Sequence, residues 1–131
     1  MNGQMTIPTI SKVDATLALL RSCLGFRVQL ERQEAAEVLT RFDPYNDIPN
    51  NIATLPGAIL DSTPTLNGRV YVGNECSLVI YYEGSAFDAA AVIEAGYQLK
   101  RLSRRYHADE FSHEIREHRG LHMIEARFWW D

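Results

Sequence analysis

The sequence has little of what marks most enzymes, metal proteins and secreted proteins. Its two cysteines, Cys23 and Cys76, lack the spacing of a zinc or redox motif, and we expect both to be small core residues rather than a disulfide. No apolar run is long enough to span a bilayer, and the N-terminal residues lack the basic segment and apolar run of a signal peptide. These absences predict a soluble protein that is made in the cytoplasm.

Signals for binding nucleotides or nucleic acids are also missing. Gly68 and Gly73 lie inside a predicted hairpin and not between a strand and a helix N-terminus, where a phosphate-binding loop forms. The formal net charge of -4 argues against a dedicated nucleic-acid binder, which normally carries a strongly basic face. We therefore expect no cofactor, no specific nucleic-acid partner and no small-molecule substrate.

The composition is typical of one globular domain. With 131 residues, of which 46% are hydrophobic and 23% are charged, the chain can build one core. We predict a single α+β domain over residues 1–131, with residues 1–10 as an N-terminal arm. Its fold class is a single mixed, mainly antiparallel sheet with a central hairpin, packed by an N-terminal helix and a long helix, with a closing C-terminal hairpin.

The stretch from Gly68 to Tyr106 predicts a strand, a turn, a second strand and a long helix. Two runs of strand-forming residues meet at Gly73 and Asn74, a pair typical of a two-residue hairpin turn. The second run stops at Glu83 and Gly84. Because that run is apolar or aromatic on both faces, its strand should be central in the sheet.

The long helix is predicted to begin with Ser85 as its cap and Asp88 three residues later. Its apolar residues recur at spacings of three and four, which places them on one face: Val92, Ala95, Leu99, Leu102 and Tyr106. Basic residues follow toward its C-terminus, an order that the helix macrodipole favours: Lys100, Arg101, Arg104 and Arg105. We interpret this basic run as a solvated helix face.

The first part of the chain predicts a helix capped by Ser11 and ended by Gly25, with a buried stripe of Val13, Leu17, Leu20 and Leu24. Residues 26–30 alternate like a half-buried strand. Residues 33–42 suit a short helix with these residues inward: Ala36, Leu39 and Phe42. The alternative is one longer helix through residues 26–42.

Two loops are predicted in the middle of the chain. Residues 43–51 hold two prolines and three asparagines, which make continuous regular structure costly. Residues 55–60 are predicted as a strand entered after Pro56, and residues 61–68 as a second loop.

After the long helix, residues 111–115 alternate between apolar and polar, and residues 121–130 are rich in strand formers. Arg119 and Gly120 can turn between them. We predict a terminal hairpin, and the alternative for its first arm is a short helix.

Histidines and acidic residues cluster in this region: His107, His113, His118 and His122 with Asp109, Glu110, Glu114, Glu117 and Glu125. A zinc site would need three or four of them to converge, and a glycine between the last two histidines argues against a helix that would align them. In a hairpin centred on Arg119, His113 would face Glu125 and His122 would face Arg116, which are ordinary cross-strand pairs. We predict no metal site and no catalytic residue.

The order of elements resembles the small tail-terminator and tail-completion proteins of tailed bacteriophages and related contractile tail-like particles. The resemblance covers the chain from Ser11 onward: a helix, an irregular loop, the proline-entered strand LPGAIL, a loop, the strands VYV and SLVIYYEG, a long helix, and a closing hairpin that ends in ARFWWD. It implies a structural virion or particle component. Such a protein assembles as a homo-oligomeric ring, expected to be hexameric, which stops the tail tube at its head-proximal end and contacts other tail or neck proteins.

The expected contact surfaces are residues 43–51, residues 61–68 and the segment from Phe128 to Asp131. Trp129 and Trp130 would point to opposite faces of a regular last strand, so one should pack in the core and the other is a candidate for an exposed contact. The alternative function is a small intracellular inhibitor or immunity protein that binds a single protein partner. A third alternative is an enzyme that uses His113, Glu114 or His122.

Overall fold

The computed structural model describes residues 11–22, 25–42 and 48–131. The predicted arm at residues 1–10, Cys23, Leu24 and residues 43–47 of the first predicted loop lie outside these ranges. The elements in chain order are α1 (Lys12–Leu20), β1 (Phe26–Leu30), α2 (Arg32–Arg41), a 3-10 turn (Ile52–Thr54), α3 (Leu55–Ser62), β2 (Asn67–Asn74), β3 (Leu78–Ala86), α4 (Ala89–Arg105), β4 (Glu110–His118) and β5 (Leu121–Trp129).

The five strands form one antiparallel sheet in the order β1-β2-β3-β5-β4. This arrangement confirms the predicted α+β class, with the β2–β3 hairpin at its centre and the β4–β5 hairpin closing it. The second strand of the central hairpin, β3, lies in the middle of the sheet, as its two apolar faces predict. β4 forms one edge of the sheet and β1 forms the other.

The described helices pack on one face of this sheet, which we call the core face. All sheet residues of the buried core that the helices share lie there: Leu30, Val70, Val72, Leu78, Ile80, Tyr82, Ile124, Ala126 and Phe128. The opposite face, which we call the open face, carries alternate residues of the same strands. Its ionisable and tyrosine side chains on β1, β2, β3 and β5 include Arg27, Arg69, Tyr71, Tyr81, Glu83, Glu125 and Arg127.

The first predicted helix is confirmed, but it ends at Leu20 and not at Gly25. The Ser11 side chain caps α1 by accepting a hydrogen bond from the Asp14 backbone N–H at 3.1 Å. Residues 26–30 are a strand followed by a helix, so the alternative of one longer helix is wrong. In α2 the prediction of Leu39 as a buried residue is confirmed, and Ala35 and Val38 share its face. Ala36 is only partly buried, and Phe42 is the extended residue that follows the helix and is partly buried too.

The predicted strand at residues 55–60 is wrong, because these residues form α3. Proline is tolerated in the first turn of a helix, where its missing N–H has no partner to lose, and Pro56 lies there. Leu55 and Ile59, four residues apart, share the buried face. The predicted second loop is correspondingly shorter, since residues 61–62 belong to α3 and residues 67–68 to β2.

The central hairpin does not turn at Gly73 and Asn74, which both belong to β2. The turn is formed by residues 75–77, where Cys76 takes a positive φ of 61°. Gly73 is required for a different reason: a side chain there would collide with the Phe26 carbonyl of β1. The glycine therefore allows β1 to pair closely with β2, and does not mark the turn.

The second strand does not stop at Glu83 and Gly84, and β3 continues to Ala86. Ser85 is consequently a strand residue, and Asp88 caps α4 instead by accepting from the Ala90 N–H at 3.0 Å. The five residues predicted for the apolar face of this helix are all buried: Val92, Ala95, Leu99, Leu102 and Tyr106.

Tyr82 explains why a glycine occurs inside β3. Gly68 and Gly84 are opposite each other in the β2–β3 ladder, and the Tyr82 ring lies over both. A Cβ added at Gly68 would lie 2.7 Å from the ring, and one added at Gly84 would collide with the hydroxyl. The buried hydroxyl donates to Thr63 Oγ1 at 2.9 Å. The two glycines thus form a slot that holds the ring against the sheet.

The terminal hairpin is confirmed, and the alternative of a helical first arm is wrong. Arg119 and Gly120 both have positive φ, 53° and 84°, as a two-residue primed turn requires. The Trp130 ring is fully buried and donates to the Tyr106 carbonyl at 2.9 Å, whereas Trp129 is partly exposed on the open face. Among the described helices, none combines the length and apolar character needed to cross a membrane.

The glycine slot gives a stability prediction. Gly84→Ala should lower the free energy of unfolding by about 1–3 kcal/mol, because the new methyl displaces the buried Tyr82 ring. Gly57→Ala is the matched control. Gly57 lies in α3, and its new methyl would be 3.6 Å from the exposed side chain of Arg32, an ordinary van der Waals contact. Because alanine favours a helix more than glycine does, this variant should leave the free energy of unfolding unchanged or raise it by up to ~1 kcal/mol. Urea denaturation measures the free energy of unfolding of both variants. If the two substitutions change it equally, the slot does not hold the Tyr82 ring as described.

Candidate interaction surfaces

An arginine stacked on two tyrosines organises one side of the open face. The Arg27 guanidinium lies 5.1 Å from the Tyr71 ring centroid and 4.7 Å from that of Tyr81. It also reaches two carboxylates, Glu83 at 3.5 Å and Glu125 at 3.6 Å. Because β1 is the edge strand, its arginine extends over β2 and β3 and covers their aromatic residues with a charged group.

A second cluster centres on Glu75, at the turn between β2 and β3. Its carboxylate accepts from Arg127 Nε at 2.8 Å and from the Tyr81 hydroxyl, and its backbone carbonyl accepts from the Trp129 ring N–H at 2.8 Å. Arg127 also donates to Glu110 at 3.1 Å. The turn, β5 and the start of β4 are therefore tied together by charged hydrogen bonds.

These contacts shift the ionisation of the groups that make them. Burial alone would raise the pKa of Glu75, but the hydrogen bonds from Tyr81 and Arg127 outweigh it and hold the pKa below its ordinary value. Burial and the hydrogen bond to Glu75 raise the pKa of Tyr81. Burial opposes the charge of Arg127, yet Glu75 and Glu110 raise its pKa. The cluster thus favours the ionised carboxylate and the protonated tyrosine and arginine.

A cavity of about 340 Å³ lies on the open face, beyond these clusters. Glu83, Glu125 and Glu114 are directly opposite one another on β3, β5 and β4 and line it together. Arg69 and Arg116 lie on its two sides. Like charges on adjacent strands are unfavourable, and the nearby arginines, including Arg27, offset this repulsion.

The β4 edge is the most exposed part of the described sheet. Eight of its nine residues are exposed, and only Phe111 is partly buried. Large apolar side chains are exposed on β4 and on the neighbouring helix, namely Ile115 on β4 with Ile93 and Tyr97 on α4. A long unpaired strand beside exposed apolar residues is a surface on which another chain can pair.

The histidines of the terminal hairpin lie opposite other residues than the predicted ones. The turn contains two residues rather than one, so the register is shifted by one residue from the prediction, and His113 is opposite Ala126 while His122 is opposite Glu117. In the described ranges no three His, Cys, Asp or Glu residues are placed to hold a metal ion. Cys76 is exposed in the turn before β3 rather than in the core.

The three predicted contact segments differ in what they expose. Phe128 and Trp130 are fully buried in the chain's own core, which leaves Trp129 and Asp131 at the surface. In the segment 61–68, the exposed residues include Pro64 and Thr65, between α3 and β2. In the segment 43–51, the described part begins with Ile48, which is buried.

Sequence reasoning did not identify the Arg27 and Arg127 clusters. The alternation of residues 26–30 predicts a half-buried strand but no partner for Arg27, and the hairpin turn was predicted at Gly73 and Asn74 rather than at residues 75–77. The periodicity indicated which residues face outward. It could not indicate which strands are neighbours, and the clusters depend on that strand order.

Comparisons with protein-family models, with curated proteins and with solved structures found no match to this chain.

The Glu75 cluster predicts a specific acid dependence. Because its folded pKa lies below the ordinary value of 4.5, Glu75 adds stability that is present above that value and lost as the pH falls through the folded pKa. Glu75→Gln should therefore lose less stability on acidification than the wild type. Asp14, whose pKa is lowered by hydrogen bonds from Ser11 and Arg41, keeps part of the dependence in the variant.

The measurement is urea denaturation at a series of pH values from neutral to acid. Glu94→Gln is the control, since Glu94 is exposed on α4 and bonds only to the neighbouring Gln98 side chain among the described contacts. Identical acid dependence in Glu75→Gln and in the wild type would show that the cluster does not contribute as described.

Proposed function

We propose that this protein is a structural assembly protein, which joins copies of itself and other chains through the surfaces of its sheet. The observation that carries the proposal is that the described helices pack on one face of the sheet, whereas no described helix covers the opposite face and no described strand pairs with the outer edge of β4. A subunit with two different free surfaces can form heterologous contacts, and these close into rings when the rotation between subunits allows it.

In its finer form, the proposal is a tail-terminator, tail-completion or neck component of a tailed bacteriophage or related tail-like particle. It would form a ring, expected to be hexameric, at the end of the tail tube, and would be a virion or particle component. This form rests on the resemblance in element order. The first helix, the central hairpin, the long helix and the closing hairpin support it, whereas α3 replaces the strand that the resemblance requires at residues 55–60.

The alternative, an inhibitor or immunity protein with a single partner, differs in stoichiometry. Such a protein forms a discrete complex with one target and no ring. It could bind its target through an acidic face or through exposed aromatic residues. On the open face arginines are interspersed among the glutamates, so this face does not supply the acidic surface.

Native mass spectrometry with negative-stain microscopy tests the proposal. The purified protein, at a wide range of concentrations, should form closed rings with a central opening. Thr65→Arg should abolish the rings without unfolding the chain, because it places a bulky charge in the exposed segment between α3 and β2 that is expected to contact the next subunit.

Thr40→Arg, on the exposed face of α2, is the matched control and should leave the rings intact. A chain that forms no species larger than a dimer, and instead forms a one-to-one complex with a single foreign protein, would reject the ring and favour the inhibitor.

A further inference from the structure

We infer that the β4 edge binds the β4 edge of a second copy of this chain, which makes a two-fold symmetric dimer with a continuous ten-stranded sheet. The β4 edge is one of the surfaces invoked above, but the inference does not rest on the proposed function, because the pairing needs no ring. Three features of β4 support the dimer: its outward hydrogen-bonding groups, the charge pattern along it, and the apolar side chains beside it.

No strand among the described residues pairs with the outer edge of the β4 backbone. The Trp130 N–H donates to Leu78 on β3, whereas the Trp129 carbonyl accepts from Asp109, next to β4. Neighbouring residues of a strand direct their backbone groups to opposite sides. Trp129 and every second residue before it therefore direct their N–H and C=O groups toward β4. Their partners on β4 are the even-numbered residues from Glu110 to His118. The odd-numbered residues therefore direct their N–H and C=O groups outward: Phe111, His113, Ile115 and Glu117.

The charge pattern of β4 favours one register for antiparallel self-pairing. A pairing centred on Ile115 places this residue opposite its own copy and Glu114 opposite Arg116 of the second copy. It also places His113 opposite Glu117 of the second copy. Each of these polar pairs occurs twice because of the two-fold axis, and no like charges are opposed.

The neighbouring registers are less favourable. A pairing centred on His113, Glu114 or Arg116 would place that ionisable side chain directly opposite its own copy. The register centred on Ile115 is therefore the one in which an apolar residue lies on the axis and opposite charges flank it. It also matches the hydrogen bonding, since Ile115 is one of the residues whose backbone groups point outward.

Apolar side chains lie next to this edge on the core face. A Cβ added to Gly96 of α4 would lie 3.3 Å from His113 Nε2, which places this side of the helix above β4. Ile93 and Tyr97 flank Gly96 on that side of the helix and are 50% and 65% exposed, and Ile115 is 42% exposed. In the dimer these residues approach their copies across the axis, so the pairing buries apolar surface as well as forming a ladder.

Analytical ultracentrifugation of charge variants tests this contact. Glu114→Arg and Arg116→Glu each convert two opposite-charge pairs into two like-charge pairs, and each should weaken the dimer about tenfold or more. The double variant, Glu114→Arg with Arg116→Glu, restores opposite charges in the register centred on Ile115 and should recover most of the affinity. This recovery is specific to the register.

Control variants separate a lost contact from a lost fold. Ile115→Asp should abolish the dimer with little effect on urea denaturation, because the side chain is already partly exposed. Arg101→Glu, on the exposed face of α4, makes the same change in net charge as Arg116→Glu and should leave the dimer unchanged.

Three outcomes would overturn the inference. They are a monomeric wild type at all concentrations, a dimer that is unaffected by Ile115→Asp, and single charge variants that the double variant does not rescue. Rings in a chain whose dimer is unaffected by Ile115→Asp would leave the proposed function standing and reject the β4 contact. A dimer that Ile115→Asp abolishes, in a chain that never forms rings, would support the β4 contact and reject the proposed function.

Discussion

The structure depends on a sheet whose described helices all pack on one face. The core face can be apolar because α1 to α4 cover it. On the open face, the aromatic and charged side chains pack and form ion pairs with one another. Arg27 does so by lying over Tyr71 and Tyr81 while it bridges Glu83 and Glu125. Arg127 does so through Glu75 and Glu110. Exposed pairs of this kind add little stability individually. Their effect here is to fix the positions of side chains across all five strands and the turn.

The elements that could be predicted were those with a regular pattern, and the failures have identifiable causes. The apolar face of α4 was predictable because its spacing is helical over many residues. The strand at residues 55–60 was predicted wrongly because proline occurs both at the start of a strand and in the first turn of a helix. Only the burial of Leu55 and Ile59, four residues apart, distinguishes the helix from the strand. Gly73 and Gly84 misled because glycine marks turns locally, whereas both serve close tertiary contacts, with the Phe26 carbonyl and with the Tyr82 ring. Surfaces were less predictable than elements, since they need the strand order.

Two free surfaces follow from this architecture, and they differ physically. The open face is highly polar and its charges are largely paired within the chain, so a partner would have to displace or share existing contacts. The β4 edge has outward backbone groups and exposed apolar neighbours, and pairing would satisfy both. A self-complementary edge limits growth to two copies, because pairing consumes it. Larger assemblies of the kind that we propose therefore need the open face, the opposite edge or the segment between α3 and β2.

The most direct test of binding at the β4 edge is backbone hydrogen exchange. The exchange rate of each β4 amide is measured at low and at high protein concentration. Protection from exchange should rise with concentration at the amides that point outward, namely Phe111, His113, Ile115 and Glu117. It should stay nearly constant at the even-numbered residues of β4, whose amides already bond to β5. The same exchange rates at both concentrations, in a protein that associates, would place the contact elsewhere and contradict the account.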